Sequence, residues 1–347
     1  MKKLITRQTN ERQKVVLDYI EKYPLSKYAV RTLARIIAKE HYGVDELNPL
    51  YKKTVEALRL VIYRLGGSVG EKKYSKMIEI KKSTPLEGLQ KLKALKTKAI
   101  RLKNLTLPQG LYYLLMDIHI PLHNEDALEV ALKHIAKDKR KIEGIILNGD
   151  IVDQYTTSRW GKQRTDFTLQ DELDAGREFL GILRTMFPKT RIIYKHGNHE
   201  ERLFKYILSK APELQIEELS LGNLLWFDKF KIEEIEKGII KAGKLNILHG
   251  HEFGESVFSP VNPARGVFLR AKSSTLVGHY HQISEHIEGN INGDVIGCYS
   301  VGSLCDLSPE YRPFAYTKWQ HGFAEVLIMN GGKFRVKNYK IIDGEVI

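Results

Sequence analysis

The chain has 347 residues, 42% of them hydrophobic, with 55 Lys and Arg against 42 Asp and Glu and a net charge of +13. That length and apolar share provide enough material for two domains with cores of their own. No run of about 18 apolar residues occurs, so no membrane span is expected, and two cysteines, Cys298 and Cys305, are too few for a disulfide framework.

The N-terminus, MKKLITRQTNERQ, is basic but turns polar after Leu4-Ile5 and lacks the apolar core of a signal peptide. A reduced, cytoplasmic protein is the expectation. Three helices follow. QKVVLDYIEKY, residues 13–23, has helical spacing and stops at Pro24; SKYAVRTLARIIAKEHYG, residues 26–43, stops at Gly43. In the third, residues 45–67, Val55, Leu58, Ile62 and Leu65 share a face while Lys52, Lys53, Arg59 and Arg64 point outward. YSKMIEIKK, residues 74–82, has the pattern of a strand in a small wing. Residues 1–84 therefore form a basic helical domain that resembles a helix-turn-helix or winged-helix module. Its turn between the second and third helices is longer than the compact pattern allows. A lysine-rich linker, residues 85–104, connects it to a second domain, residues 105–347.

Residues 1–100 hold 23 Lys and Arg against 10 Asp and Glu, an excess equal to the whole net charge. The remaining 247 residues balance at 32 of each sign. Such asymmetry points to a segment that meets a polyanion.

From Leu105 strand-like and helical runs alternate: GLYYLLMDIHI, DALEVALKHIAKDK, IEGIILNGDIV, DELDAGREFLGILRTMF, TRIIYKHGNHE and EERLFKYILSK. This predicts an α/β sheet with helical crossovers. After residue 245 the strand-like pieces come closer together, in KLNILHGH, STLVGHYH, DVIGCYSVGSL, FAEVLIMN (323–330) and KFRVKNYKII (333–342), and predict a second, mostly antiparallel sheet.

In open α/β sheets reactive residues gather beyond the carboxyl ends of the strands. Here those ends carry Asp117-x-His119, Gly149-Asp150 with Asp153, Gly197-Asn198-His199-Glu200, His249-Gly250-His251, and Gly278-His279-Tyr280-His281. Imidazole, carboxylate and amide oxygen suit Zn, Mn, Fe and similar divalent ions. In the two x-separated pairs, alternate residues of an extended segment would face one side. Seven such ligands exceed the needs of one ion and fit two sharing a bridging carboxylate. His41, His134, His286 and His321 fall outside this pattern and read as structural.

The order D-x-H, GD-x-x-D, GNH-E, H-G-H, G-H-x-H resembles the calcineurin-like metallophosphoesterase superfamily, over roughly residues 110–285. The resemblance implies a four-layer αββα sandwich with a dinuclear site. It implies that Asp117, His119 and His281 hold one ion, that Asn198, His249 and His279 hold the other, and that Asp150 bridges them. His199 would be the catalytic histidine beside the leaving group, oriented by Asp153. The two ions would be manganese first, with Zn, Fe, Ni or Mg as alternatives. Glu200 would begin the next helix, where its charge suits the dipole. Arg202, His123, His251 and Trp160 are candidate substrate-binding residues. Tyr155 and Tyr280 are further aromatic surfaces for a base.

Superfamily membership does not choose a substrate. The basic residues 1–100 favour nucleic acid as the partner, so the expected activity is a nuclease acting on DNA first and RNA second. The alternatives are a phosphomonoesterase acting on phosphoprotein or nucleotide, with the N-terminal domain as a partner- or DNA-binding module, and a non-enzymatic DNA-binding protein with a vestigial site.

Overall fold

A computed structural model describes residues 2–23, 30–65, 89, 102, 104–159, 166–254, 261–308 and 316–347. The backbone divides into two compact units, Met1–Ala99 and Ile100–Ile347.

The first unit contains α1 (Lys2–Lys22), α2 (Val30–Glu40) and α3 (Tyr51–Arg64). Each contributes one apolar stripe to a shared core. Val16 comes from α1; Leu33, Ala34, Ile37 and Ala38 from α2; Val55, Leu58 and Ile62 from α3. The spacing on α2 is that of a single helix face. Leu65 packs on the rim of this core. Arg31, Arg35, Lys39, Lys52 and Lys53 remain exposed. Ten residues, 41–50, separate α2 from α3. The expected wing at 74–82 and most of the linker at 85–104 lie outside the described residues.

The second unit is built on two sheets. The larger runs β13 (Glu345–Val346), β12 (Phe334–Ile342), β11 (Gly322–Ile328), β2 (Gly110–Leu115), β3 (Ile142–Asn148), β4 (Arg191–Lys195), β5 (Ile232–Ile235). The smaller runs β1 (Leu105–Thr106), β6 (Ile240–Ala242), β7 (Leu245–Ile247), β8 (Thr275–Val277), β10 (Val295–Ser300), β9 (Ser284–Gly289). Strands β2 to β5 are parallel, joined by the crossover helices α4 (Glu125–Lys137), α5 (Leu169–Met186) and α6 (Glu201–Lys210). Helix α7 (Pro263–Ala271) joins the parallel β7 and β8.

Strand alternation produces the layers. Leu111, Tyr113 and Leu115 of β2 meet Ala131, Leu132, Leu180 and Leu183 of α4 and α5. Tyr112 and Leu114 turn the other way and, with Met116, meet Ile247, Leu276 and Tyr299 of the smaller sheet. On that sheet's far side Val277 and Cys298 pack on Ala264 and Val267 of α7. Helices, sheet, sheet and helix form the αββα sandwich. Each strand fits because a period of 2 sends successive side chains to opposite cores.

Two expectations about the second sheet are corrected. It is mixed, with three parallel and two antiparallel pairings, because α7 returns the chain in the same direction between β7 and β8. The strand-like runs at 323–330 and 333–342 do not join it. They form β11 and β12 of the larger sheet, with β11 antiparallel to β2. Phe323 of β11 enters one core while Ala324, Val326 and Ile328 enter the other. A strand apolar on both faces belongs at the middle of a covered sheet. Cys298 and Cys305 are both buried and free. No helix among the described residues is long and apolar enough to cross a membrane.

Candidate active site

The five motifs meet past the carboxyl ends of β2, β3 and β4 on the larger sheet and β7 and β8 on the smaller one. The backbone there is strained. Asp117, His119, Asp150, His279 and His281 take φ of 52°, 56°, 53°, 66° and 55°. A left-handed non-glycine residue costs roughly 1–2 kcal/mol and persists only where its surroundings over-determine it. Those surroundings are present. Asp117 N donates to Gly149 O (3.1 Å), His119 N to Asp150 O (3.0 Å) and Gly278 N to His249 O (2.7 Å). Leu304 N donates to Asp117 O (3.0 Å) and Gln320 N to His281 O (2.8 Å).

This corrects one detail of the sequence reading. Asp117/His119 and His279/His281 do not converge by alternation in an extended segment, since β2 ends at Leu115 and β8 at Val277. Left-handed loop residues aim them. Asn198 and His199 likewise occupy a turn, not a strand. The crowding also requires glycine at 197 and 278, where an added Cβ would collide with Asp150 Oδ1 and Asp117 Oδ2 respectively.

The donor atoms converge. Asp150 Oδ2 lies 3.1 Å from His249 Nε2, 3.7 Å from His199 Nε2 and 4.0 Å from His119 Nε2. His281 Nε2 is 3.2 Å from His119 Nε2 and 3.3 Å from Asp117 Oδ1. Two donor triads, Asp117/His119/Asp150 and Asp150/His249/His279, each lie within 4.8 Å and share Asp150. The Asn198 Oδ1 atom is buried with no hydrogen-bond partner among the described residues.

Three imidazoles are tied at Nδ1 and present Nε2 inward. His119 Nδ1 donates to Asp153 Oδ2 (2.9 Å), His249 Nδ1 to Asn148 O (2.8 Å), and His281 Nδ1 lies 3.6 Å from Cys305 Sγ. An outer partner at Nδ1 fixes the tautomer that leaves Nε2 free for a metal. Together with the orphaned amide oxygen and the shared carboxylate, this donor set fits divalent cations. Asp117, His119, Asp150, His249 and His281 are buried.

The charges are strongly coupled. Burial alone would raise the Asp150 carboxyl, but His199 and His249 hold it well below the usual carboxylate range. Burial works against a charged His249 too, yet Asp150 and Asp117 push it up to about 10. His279 is pushed down to about 4 by burial and by the neighbouring His249. The buried carboxylates demand positive charge, which protons or divalent ions can provide, and an ion displaces the protons.

Asp153 reaches further than expected. Besides His199, whose Nδ1 lies 3.0 Å from Asp153 O and 3.2 Å from Oδ2, it holds His119 Nδ1 at 2.9 Å. Glu200 also differs from expectation. It stands at the N-cap of α6, but its carboxylate makes no cap hydrogen bond. It instead accepts from Asp150 N (2.9 Å), Ile151 N (2.8 Å), Gly197 N (2.8 Å) and the Tyr194 hydroxyl (2.8 Å). One buried carboxylate thus clamps two of the five loops together.

Of the substrate-binding candidates, Arg202 and His251 are brought to the centre. His251 lies with its ring 5.4 Å from His249 and 6.4 Å from His279. His123 joins none of the donor clusters; it bridges Cys305 through its backbone and lines a cleft with Leu128 and Phe179. Trp160 lies outside the described residues. Tyr155 is buried and offers no open face, which corrects its candidacy. Tyr280 packs edge-on against His279 at 5.2 Å.

Sequence reasoning missed three neighbours. Lys195, fully buried at the end of β4, pairs with Glu252 at 2.8 Å, and Glu252 accepts from Gly250 N at 2.7 Å. A lysine closing an apolar strand was the available signal. Cys305 and Trp319, whose ring lies 4.3 Å from His281, carry no local signal because they fall in loops remote from every motif.

Residues 115–287 match the family model for calcineurin-like phosphoesterases. The chain belongs to the calcineurin-like metallophosphoesterase superfamily. This superfamily domain spans both halves of the donor set, from Asp117 to His281, and makes the chain a metal-dependent hydrolase of phosphoester bonds. No curated protein matches the chain.

Proposed function

We propose that this metallophosphoesterase is a dinuclear phosphodiesterase that cleaves nucleic acid, DNA first and RNA second. The observation that carries the hydrolytic reading is the convergence of two donor triads on one carboxylate, Asp150. Asp117, His119 and His281 would hold one ion, and Asn198, His249 and His279 the second, with Asp150 shared. Manganese suits the oxygen and imidazole donors, as do Zn, Fe, Ni and Mg. The ions, when bound, would supply positive charge at the phosphoryl oxygens and acidity for the attacking water.

The chain's own residues do the rest. His199 stands outside the ligand set, with Nδ1 tied to Asp153 and Nε2 3.7 Å from Asp150 Oδ2. Nε2 is therefore the atom that meets the leaving oxygen, to protonate it or to stabilise its charge. Asp153 holds His119 and His199 at once, so it fixes a metal ligand and the acid in one register.

The choice of nucleic acid is supported by the excess of basic residues in 1–100 and by the exposed Arg31, Arg35, Lys39, Lys52 and Lys53 on the three-helix unit. A polyanion that neutralises such a surface releases counterions, which makes binding salt-dependent. The test compares kcat/KM for a chromogenic aryl phosphodiester and the matching monoester. A diester preference supports this reading. A strong monoester preference overturns it in favour of a phosphomonoesterase tethered by its N-terminal unit.

A further inference from the structure

We infer that Arg202 is a phosphoryl-oxygen ligand of this centre, resting on His199 until an oxyanion takes its place. The inference rests on the phosphoesterase reading of the same site. The Arg202 Nη1 atom donates to Asp153 O (2.9 Å) and Asp153 Oδ1 (2.8 Å), and Nη2 lies 2.9 Å from His199 Nε2. A guanidinium only donates, so His199 Nε2 is the acceptor in this arrangement. Arg202 therefore covers the one imidazole atom that faces the reacting centre.

Three features argue that this contact is a resting position and not the residue's whole purpose. First, a neutral imidazole nitrogen offers this cation one lone pair and no charge, whereas a phosphoryl oxyanion offers opposite charge and can take two parallel bonds from the fork. Second, the guanidinium keeps two donors, Nε–H and one proton of Nη2, without partners among the described residues. Third, Arg202 is the second residue of α6. A cation in the first turn opposes the helix dipole, so helix stability does not explain its place there. A local rule broken beside a reactive centre is the signature of a functional residue.

The anchor also fits. Asp153 fixes Nη1 from two oxygens, which orders the fork before substrate arrives and spares that cost on binding. Rotation of the free Nη2 edge from His199 to a phosphoryl oxygen then uncovers His199 Nε2, which takes up a proton from solvent before it can serve as the acid. The catalytic histidine becomes available only when an oxyanion is seated. A water-filled centre would keep it covered.

The test uses the full-length, metal-loaded protein and inorganic phosphate as the probe, with binding measured by calorimetry. Arg202→Met should weaken phosphate binding at least tenfold, with metal content per chain unchanged. Arg202→Lys should recover part of that loss, because it restores the charge but not the fork. Added guanidinium should restore phosphate binding to Arg202→Met. Phosphate affinity within twofold of wild type in Arg202→Met would overturn the inference and leave Arg202 as a brace for Asp153. Wild-type protein that binds no phosphate at all would overturn it as well. Wild type that binds phosphate through Arg202 yet cuts no nucleic acid would instead undo the nuclease reading and leave this inference standing.

Discussion

The two units solve opposite problems. Among its described residues the first buries only apolar side chains, Val16, Leu33, Ile37, Leu58 and Ile62 among them, and turns its charges outward. The second has an ordinary apolar core on each side of its larger sheet, yet at the strand ends it buries Asp117, Asp150, Asp153, His119, His249 and His281 together. Burying charge is costly unless it is paired or metal-bound, so at its strand ends the second unit accepts instability that the described part of the first avoids. It also holds five site residues in left-handed backbone. The difference teaches where chemistry resides: the phosphoesterase unit carries it in strained, buried, mutually oriented groups, and the helical unit offers charge on a stable surface.

The comparison breaks most visibly at Asp150. Asp150→Asn should remove metal from the centre, weakening affinity by at least roughly 100-fold, the upper range seen for mere outer partners of ligands. Metal content by mass spectrometry checks this, and two ions retained per chain would contradict the shared role. His199→Ala sharpens the contrast between holding metal and using it. It should keep the metal and lower kcat by roughly 10²–10⁴-fold, the contribution of a positioned acid. Full metal content with normal kcat would remove His199 from the mechanism.

Acidity provides the next test. His249 is pushed up to about 10, so a proton competes for its Nε2 across the whole neutral range. Metal affinity should therefore fall as pH is lowered and rise with pH, because each ion bound displaces protons. Calorimetry in buffers of different ionisation enthalpy would register the protons released. Affinity independent of pH between 6 and 8 would contradict the assignment of His249.

On the helical unit the effects should be smaller and of another kind. Replacing Lys52, Lys53, Arg31 and Arg35 with Ala should leave hydrolysis of a small chromogenic ester unchanged. It should weaken DNA binding and flatten its salt dependence by about 0.9 for each phosphate no longer neutralised. A salt slope equal to that of wild type would mean the basic surface meets something other than nucleic acid. The smallest effect concerns Glu172, buried in α5, whose carboxyl is raised to about 8 by burial and by Asp153. Its folded pKa lies above its unfolded value, so the protein loses stability as pH rises from the unfolded pKa through 8. Glu172→Gln should abolish that slope and raise Tm by a few degrees at pH 8.

The sequence made the donor set legible because metal chemistry needs particular side chains at strand ends, and strand ends are visible as the stops of apolar runs. Asp117, Asp150, Asn198, His249 and His279 could be found that way. How they are aimed could not. Positive φ at Asp117 and His281 has no compositional mark, since it is enforced by partners such as Gly149 and Gln320 that lie far away in the chain. Glu200 illustrates the same limit. Its place before α6 suggested a dipole contact, but tertiary bonds from Asp150 and Ile151 claimed its carboxylate. Strand identity was legible at 323–330 and strand pairing was not, because partner choice depends on which sheet covers both faces. The helices of the first unit were legible from their 3.6-residue period, but α1 begins at Lys2, within the polar start and ahead of the run 13–23 in which that period is read.

The most direct test of the account is cleavage of end-labelled single- and double-stranded DNA by the purified full-length protein in Mn²⁺, with His199→Ala alongside. The account predicts a product ladder from the wild type and none from metal-loaded His199→Ala. Intact DNA under conditions where the wild type still hydrolyses a simple chromogenic phosphate ester would contradict it, and the basic helical unit would then be a tether and not a grip on substrate.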